Sequence, residues 1–399
     1  MTLRRLGLRP MAPRDIGEEH RASTPLELLF DLCFVVAVSQ AAGQLQSALS
    51  SQHFHTGIVG YLMVFFAIWW AWVNFTWFAS AYDVDDLLYR LLTFVQIVGV
   101  LILAGGVDSA FGSGGFATIT VGYVVMRVAM VAQWLRAASG DPAGRPADLR
   151  YAAGIGILQV GWVARLFLPH EAGLVAFYAL AACEMLVPAW AERAGAGGQG
   201  TPWHPGHINE RYGLFTLIVL GECVAAATLA VHAASSSGLS AGLVAVAVGS
   251  LLLVFSVWWW YFEHPSESGL RMSRNVAFLW GYGHYFVLGS VGALGAGLGL
   301  AAAGTHGDTR TAEVTTAGLA IAVPVVVYLG VTGILQGRLD RQPPGRLAIV
   351  TGAGLLILLL GGLASTLGLG AVTLLMGIVV AVLVACDEMR GGKVAAATS

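Results

Sequence analysis

The sequence predicts an all-α, polytopic integral membrane protein, a helical bundle with about 12 transmembrane helices. Of the 399 residues, 57% are hydrophobic and only 11% are charged, and the mean hydropathy is +0.73. Soluble domains carry about 25% charged residues, so this composition lies far outside the globular range. Apolar runs of roughly 20 residues, the length that crosses the core of a bilayer, recur along the chain. The basic residues fall almost entirely in alternate connections.

The predicted spans follow one another through short connections rich in Gly, Ser, Pro, Asp and Arg, as turns require. Their ranges are 26–46, 58–79, 89–108, 117–138, 150–168, 172–191, 211–232, 239–262, 275–302, 311–335, 346–364 and 368–386. The longest connection, ERAGAGGQGTPWHPGHINE, is predicted to separate two halves. The chain then divides into an N-terminal segment, a first six-helix half, a linker, a second six-helix half and a tail: 1–25, 26–191, 192–210, 211–386 and 387–399.

Two pairs of segments are similar across these halves. FAIWWAWVN at 66–74 and FSVWWWYFE at 255–263 share a Phe and two Trp at matching positions. ELLFDLCFVVAVSQAA begins at Glu27 and ERYGLFTLIVLGECVAA begins at Glu210, each at a predicted helix start. Because six spans separate the copies, they would share one orientation and form two parallel six-helix repeats. Chance similarity between aromatic-rich helices is the alternative.

The basic residues orient the predicted spans. All but three of the 21 Lys and Arg residues lie on the side of the bundle that holds both termini. The exceptions are Arg127, within the fourth span, and Arg165 and Arg310 on the opposite side. Because cytoplasmic loops collect Lys and Arg, the sequence predicts that both termini, the linker and the tail are cytoplasmic.

Several ionisable residues lie inside the predicted spans. Glu27 and Asp31 are one helical turn apart, so they share a face of the first span. Glu222 lies roughly 16 Å beyond Arg211 at the helical rise per residue, and Arg127 reaches a similar depth from the other side. A charged side chain in a membrane helix costs about 2.5–3.5 kcal/mol on insertion scales and commonly marks function. We expect Arg127 to pair with Glu222, with Asp31 as the alternative partner.

Structural explanations compete with functional ones at these positions. Glu27 follows Ser23, Thr24 and Pro25, which is typical of a capped helix start, where a carboxylate also favours the helix dipole. Asp31 lies deeper, which favours a functional or pairing role.

For Glu222, structural pairing with Arg127 and a role in ion passage are equally open. His284 and Gln96 lie at comparable depths in their spans and are further candidates for a polar pathway. His204 and His207, in the predicted linker, are interpreted as solvent-exposed loop histidines.

The segment YDVDDLLYR precedes the third span and contains Asp85, Asp86 and Arg90. Its aspartates lack the Gly and terminal Glu of an EF-hand loop. Capping of the span, with Arg90 available to Asp86 at i+4, is therefore favoured over a divalent cation site. No nucleotide-binding loop or Ser/His/Asp arrangement stands out, so we expect no enzymatic activity, no cofactor, no metal and no nucleic-acid partner.

Four segments together resemble the bacterial low temperature requirement A family of multi-pass membrane proteins: TPLELLFDLCFVVAVSQ, YDVDDLLYR, HINERYGLFTLIVLGECV and WWWYFE. The recurring polar positions of that family correspond here to Glu27, Asp31, Glu210, Arg211, Gly221 and Glu222. Cys33 and Cys223 stand where Val and Ser are more usual. The resemblance implies a bacterial plasma membrane location and no established biochemical activity.

Two functions remain open at this point. The first is transporter- or channel-like movement of a small solute or ion along a polar path between the halves, lined or locked by Asp31, Glu222 and Arg127. The second is a non-transporting scaffold or lipid-interacting stress protein whose buried charges only fix helix packing. In both cases the lipid bilayer is the expected partner, and self-association is compatible with either.

Overall fold

The computed structural model describes residues 9–15, 17–18, 21–112, 115–194, 200–236, 240–263, 270, 274–304, 311–339 and 345–398. Some sequence predictions lie outside this range, namely parts of the N-terminal segment, the linker and the tail. The side chains of several basic residues used to orient the spans also lie outside it: Arg4, Arg5, Arg271, Arg310, Arg341 and Lys393.

Within the described residues the chain folds into fourteen α-helices and no β-strand. The helices are α1 (Pro25–Ser50), α2 (Phe54–Tyr82), α3 (Leu87–Gly105), α4 (Val107–Gly112), α5 (Ala117–Gly140), α6 (Arg145–Arg165), α7 (His170–Glu192), α8 (Pro205–Ser236), α9 (Ala241–Phe262), α10 (Arg274–Ala303), α11 (Thr311–Leu339), α12 (Arg346–Gly362), α13 (Ala364–Leu367) and α14 (Leu369–Thr398). The all-α fold class is confirmed.

Each predicted span coincides with a helix, and ten helices of the described chain are long and apolar enough to cross a bilayer. The helices at the other two predicted spans differ from these ten. α6 carries charged residues near both ends, and α12 is a shorter apolar helix of 17 residues. The protein is therefore a multi-pass membrane protein that contacts lipid, and the count of twelve spans stays a prediction.

The chain forms two compact units. Unit 1 comprises Met1–Gln40 and Met63–Tyr212, and unit 2 comprises Ala41–Leu62 and Gly213–Ser399. The end of α1 and the start of α2 thus belong to unit 2, whereas the sequence assigned them to the first half. The linker is also shorter than predicted, because Pro205 begins α8 with the fixed φ that suits a first helical position. The parallel repeat of six helices stays a prediction.

Glycines allow close helix packing inside each unit. In unit 1, a Cβ added at Gly122 of α5 would lie 2.5 Å from the carbonyl oxygen of Gly99 in α3. In unit 2, a Cβ added at Gly377 of α14 would lie 2.8 Å from the carbonyl oxygen of Gly249 in α9. Membrane helices lack a hydrophobic driving force for association, so this backbone approach and the dispersion contacts it permits stabilise the packing.

Candidate functional site

Two acidic residues of α1 face two basic residues of α8 in unit 1. The Asp31 Oδ1 atom lies 2.5 Å from Arg211 Nη2, and the Glu27 Oε1 atom lies 3.2 Å from His207 Nε2. All four side chains are at most 1% exposed. Glu27 and Asp31 are four residues apart on α1, and His207 and Arg211 are four residues apart on α8. Successive turns of α1 therefore meet successive turns of α8. The predicted common face of Glu27 and Asp31 is therefore a face of contact between helices.

Glu27 also caps the helix that it begins. The backbone amide of Thr24 donates to Glu27 Oε2 at 2.8 Å, and the backbone amide of Glu27 donates to Thr24 Oγ1 at 3.3 Å. This reciprocal arrangement is a capping box, and it satisfies two amides that the first turn would leave unpaired. The helix-start interpretation of Glu27 is correct, and the second carboxylate oxygen additionally contacts His207.

His204 and His207 are buried, so their interpretation as exposed loop residues was wrong. The backbone amide of His207 donates to His204 Nδ1 at 3.1 Å, which makes His204 the cap of α8. Because Nδ1 accepts, Nε2 of His204 carries the proton and donates to the carbonyl oxygen of Glu18 at 2.9 Å. The sequence pattern was misleading because Pro205 and Gly206 suggested a turn, whereas they form the first turn of a helix.

Arg127 forms the second buried ion pair of unit 1, and its partner is Glu184 of α7. Their closest atoms, Arg127 Nη2 and Glu184 Oε2, are 2.8 Å apart, and each side chain is 1% exposed. The predicted pairing with Glu222 is wrong, and so is the alternative with Asp31, whose partner is Arg211. Glu184 could have been found by the rule that selected Glu222, because both are single carboxylates within apolar spans.

Glu184 accepts hydrogen bonds from several side chains besides Arg127. Trp70 Nε1 donates to its Oε2 at 2.6 Å, and Trp162 Nε1 donates to its Oε1 at 3.0 Å. Gln159 Nε2 lies 3.3 Å from the same Oε1. Tyr123 accepts a hydrogen bond from Arg127 at 2.5 Å and lies beneath its guanidinium. These donors satisfy the carboxylate of Glu184 and so offset part of its loss of solvation.

The two ion pairs are linked through α2. Trp72 Nε1 donates to Asp31 Oδ1 at 2.7 Å, two residues along the chain from the Trp70 that serves Glu184. Both indoles are at most 1% exposed. Two Trp residues of the FAIWWAWVN segment therefore hold carboxylates inside unit 1.

The other predicted polar residues lie apart from these ion pairs. Gln96 of α3 donates to Gln133 Oε1 of α5 at 2.8 Å inside unit 1. His284 is buried in unit 2, where its Nδ1 donates to the carbonyl oxygen of Trp280 at 2.7 Å and its Nε2 lies 2.9 Å from the Tyr261 hydroxyl. Glu222, on the part of α8 that belongs to unit 2, is half-buried.

The YDVDDLLYR segment caps α3, as expected, although its ion pairs differ from the prediction. Asp86 Oδ1 accepts from the Tyr89 amide at 2.9 Å. Arg90 pairs with Asp85 at 2.8 Å, and Asp86 pairs instead with Arg136 of α5. Burial acts to raise the pKa of Asp86, but the hydrogen bonds from Arg136 and two backbone amides outweigh burial and lower that pKa.

Glu210, the remaining predicted polar position, accepts a hydrogen bond from the Ser23 amide at 3.1 Å and so connects α8 to the residues before α1 within unit 1. Among the described residues, no group of three or more His, Cys, Asp or Glu side chains is arranged to hold a metal ion.

Comparison with known proteins places the chain in a family. Residues 22–384 match the family described as bacterial low temperature requirement A protein (LtrA). The chain is also 30% identical over 288 residues to "Uncharacterized protein RA0937" of Rhizobium meliloti (strain 1021), covering 69% of this chain and 68% of that protein. No solved structure gives a significant match. The chain belongs to the bacterial low temperature requirement A family.

Proposed function

We propose that this protein moves a small ion or solute across the bilayer, and that the polar interior of unit 1 forms the route. The observation that carries the proposal is the two buried ion pairs, Asp31–Arg211 and Arg127–Glu184, which are linked by two Trp residues of α2. Four charged groups buried in this way are costly in a membrane protein, and buried ionisable groups commonly line transport paths or gates.

In this proposal each ion pair is a gate element. A cation that enters beside Asp31 or Glu184 would take the place of the paired arginine, and an anion that enters beside Arg211 or Arg127 would take the place of the paired carboxylate. The ion pair would form again when the ion leaves. The Trp donors would hold each carboxylate in place during the exchange, because an indole N–H remains fixed when the guanidinium moves. Opening would therefore require movement of Arg127 or Arg211 rather than of the carboxylates.

The scaffold function has one observation in its favour. Glu184 receives hydrogen bonds from Arg127, Trp70, Trp162 and Gln159, a set that would fix helix positions without any passage of solute. Buried polar groups that are fully satisfied rigidify the packing around them. The same substitutions distinguish the two functions, because only the transport proposal predicts a flux that can be lost.

The test is flux in proteoliposomes of defined phospholipid composition. Wild-type protein and the Asp31→Asn and Glu184→Gln variants would be assayed with H⁺, K⁺, Na⁺ and Cl⁻ gradients. Asp85→Asn is the matched control, because it breaks an ion pair of similar length whose side chains are each 54% exposed. We expect flux of at least one ion in wild type and in the control, and its loss in both buried variants. Wild-type vesicles that pass none of these ions, while the protein remains folded, would support the scaffold function.

A further inference from the structure

Three carboxylates and one tyrosine gather where α2, α5, α6 and α7 meet in unit 1. Asp141 follows the end of α5, Asp148 lies in the first turn of α6, and Glu192 ends α7. Tyr82, the last residue of α2, completes the group. All four are buried, with exposed fractions of 6% for Asp141, 0% for Asp148, 8% for Glu192 and 0% for Tyr82. This group lies outside the ion pairs described above.

Two of these carboxylates have hydrogen-bond donors. The Tyr82 hydroxyl donates to Asp141 Oδ2 at 3.0 Å, and the Ala143 amide donates to Asp141 Oδ1 at 3.0 Å. Glu192 accepts from the Tyr151 hydroxyl at 2.8 Å, and the hydroxyl and amide of Thr201 donate to it at 2.6 and 2.8 Å. Asp141 and Glu192 therefore each have the hydrogen-bond donors that a buried carboxylate needs.

Asp148 is different, because it is fully buried and neither of its carboxylate oxygens has a donor of its own: the nearby Tyr82 hydroxyl donates to Asp141. The basic residues of its own helix are directed elsewhere. Arg145 Nε donates to the carbonyl oxygen of Ala138, and Arg150 Nη1 donates to that of Trp190, each at 3.0 Å. An ionised carboxylate without donors or a counter-charge is strongly disfavoured in such a place.

We propose that Asp148 is a proton-binding site, which holds its proton at neutral pH and releases it under alkaline conditions. Bound to a proton, Asp148 is a neutral acid near the charges of Asp141 and Glu192. Without it, three negative charges would repel one another where four helices meet. The occupant is a proton rather than a metal ion, because no group of three or more His, Cys, Asp or Glu side chains among the described residues is arranged to hold a metal ion.

The electrostatics of the group agree with this assignment. Burial raises the pKa of Asp148 to about 8, the hydroxyl of Tyr82 opposes that rise, and the charges of Asp141 and Glu192 add to it. Asp148 precedes the predicted span 150–168, so the aqueous side of the membrane can supply the proton. The proposal does not depend on transport activity.

The test is infrared difference spectroscopy of the purified protein in detergent, which detects the carbonyl stretch of a protonated carboxylic acid. We expect this band at neutral pH in wild type, its loss on alkaline titration and its absence in Asp148→Asn. Asp108→Asn, which changes an exposed aspartate, is the control and should retain the band. Asp141→Asn removes one neighbouring negative charge, so Asp148 should lose its proton at a lower pH in this variant than in wild type.

A second measurement does not require the Asp148→Asn variant to fold. The melting temperature of the wild type should fall as pH rises from about 4, the pKa of an unfolded aspartate, to about 8. In that window the folded state binds one more proton than the unfolded state, so alkali favours unfolding. Absence of the acid band at neutral pH, or an unchanged band in a folded Asp148→Asn protein, would overturn the proposal. Protection by Na⁺, K⁺ or Ca²⁺ at high pH in wild type alone would also overturn it.

Discussion

Trp70 and Trp72, two residues apart on α2, donate their indole N–H groups to carboxylates of two different buried ion pairs in unit 1. Trp70 reaches Glu184 at 2.6 Å and Trp72 reaches Asp31 at 2.7 Å. Residues two apart on a helix do not share a face, so α2 lies between the two ion pairs and serves one from each side. Because of this geometry, α2 is the element that would transmit a movement at one ion pair to the other.

Removing one of these donors should destabilise the protein. Trp72→Phe keeps most of the buried ring but leaves Asp31 without one of its hydrogen bonds. We expect a loss of about 1–3 kcal/mol, the cost of leaving a buried acceptor without its donor. Thermal unfolding in detergent measures the effect. Trp258→Phe on α9 is the control, because Trp258 is 45% exposed, and it should change the melting temperature little.

The Asp31–Arg211 ion pair should show strong coupling in a double-mutant cycle. Asp31→Asn leaves a buried guanidinium without its counter-charge, and we expect it to cost about 3–5 kcal/mol. Asp31→Asn combined with Arg211→Met should cost less than Asp31→Asn alone, because the unpaired charge is gone. Equilibrium unfolding of the single and double variants measures the coupling. Additive losses would show that the two side chains do not depend on each other.

The corrected partner of Arg127 can be tested by comparing two similar substitutions. Glu184→Gln should destabilise the protein by about 3–5 kcal/mol, because it leaves Arg127 buried and unpaired. Glu222→Gln alters a half-buried residue of unit 2 and should have a smaller effect. Unfolding of both variants under the same conditions provides the measurement. A larger effect of Glu222→Gln would contradict the Arg127–Glu184 pair and favour the Arg127–Glu222 pair that the sequence suggested.

Asp86 should make the protein sensitive to acid. Its folded-state pKa is lowered, so its contribution to stability is present above the unfolded value of about 3.9 and is lost as pH falls through the folded value. Below a pH of about 4, the melting temperature should therefore fall more steeply with decreasing pH in wild type than in Asp86→Asn. Equal slopes in the two proteins would show that the ion pair between Asp86 and Arg136 does not contribute to stability.

The approach of α3 to α5 predicts one further steric effect. Gly122→Ala would place a methyl carbon 2.5 Å from the Gly99 carbonyl oxygen, so the helices must separate and the melting temperature should fall markedly. Gly43→Ala on α1 is the control, because a Cβ there meets nothing within 4 Å. In that variant, better helix propensity should leave stability unchanged or slightly increased.

Local features of the site were predictable, and the partners of its charges were not. The i, i+4 spacing placed Glu27 and Asp31 on one face, and the Thr24–Glu27 spacing indicated a capped helix start. Both follow from helix geometry, which acts over one turn. By contrast, sequence reasoning chose Glu222 for Arg127 from depth alone. Depth leaves open which helices are neighbours, and the true partner lies on α7.

The sequence by itself determined that the chain is a membrane-embedded helical protein and where its long helices lie. These properties depend on composition and periodicity, because a span must be apolar over the thickness of the bilayer and must satisfy its own backbone. Only the tertiary structure decided that Asp31 meets Arg211, that Arg127 meets Glu184 and that Asp148 is buried near Asp141 and Glu192. Ion pairs between helices depend on lateral order and rotation, which arise from side-chain packing along the whole length of each helix.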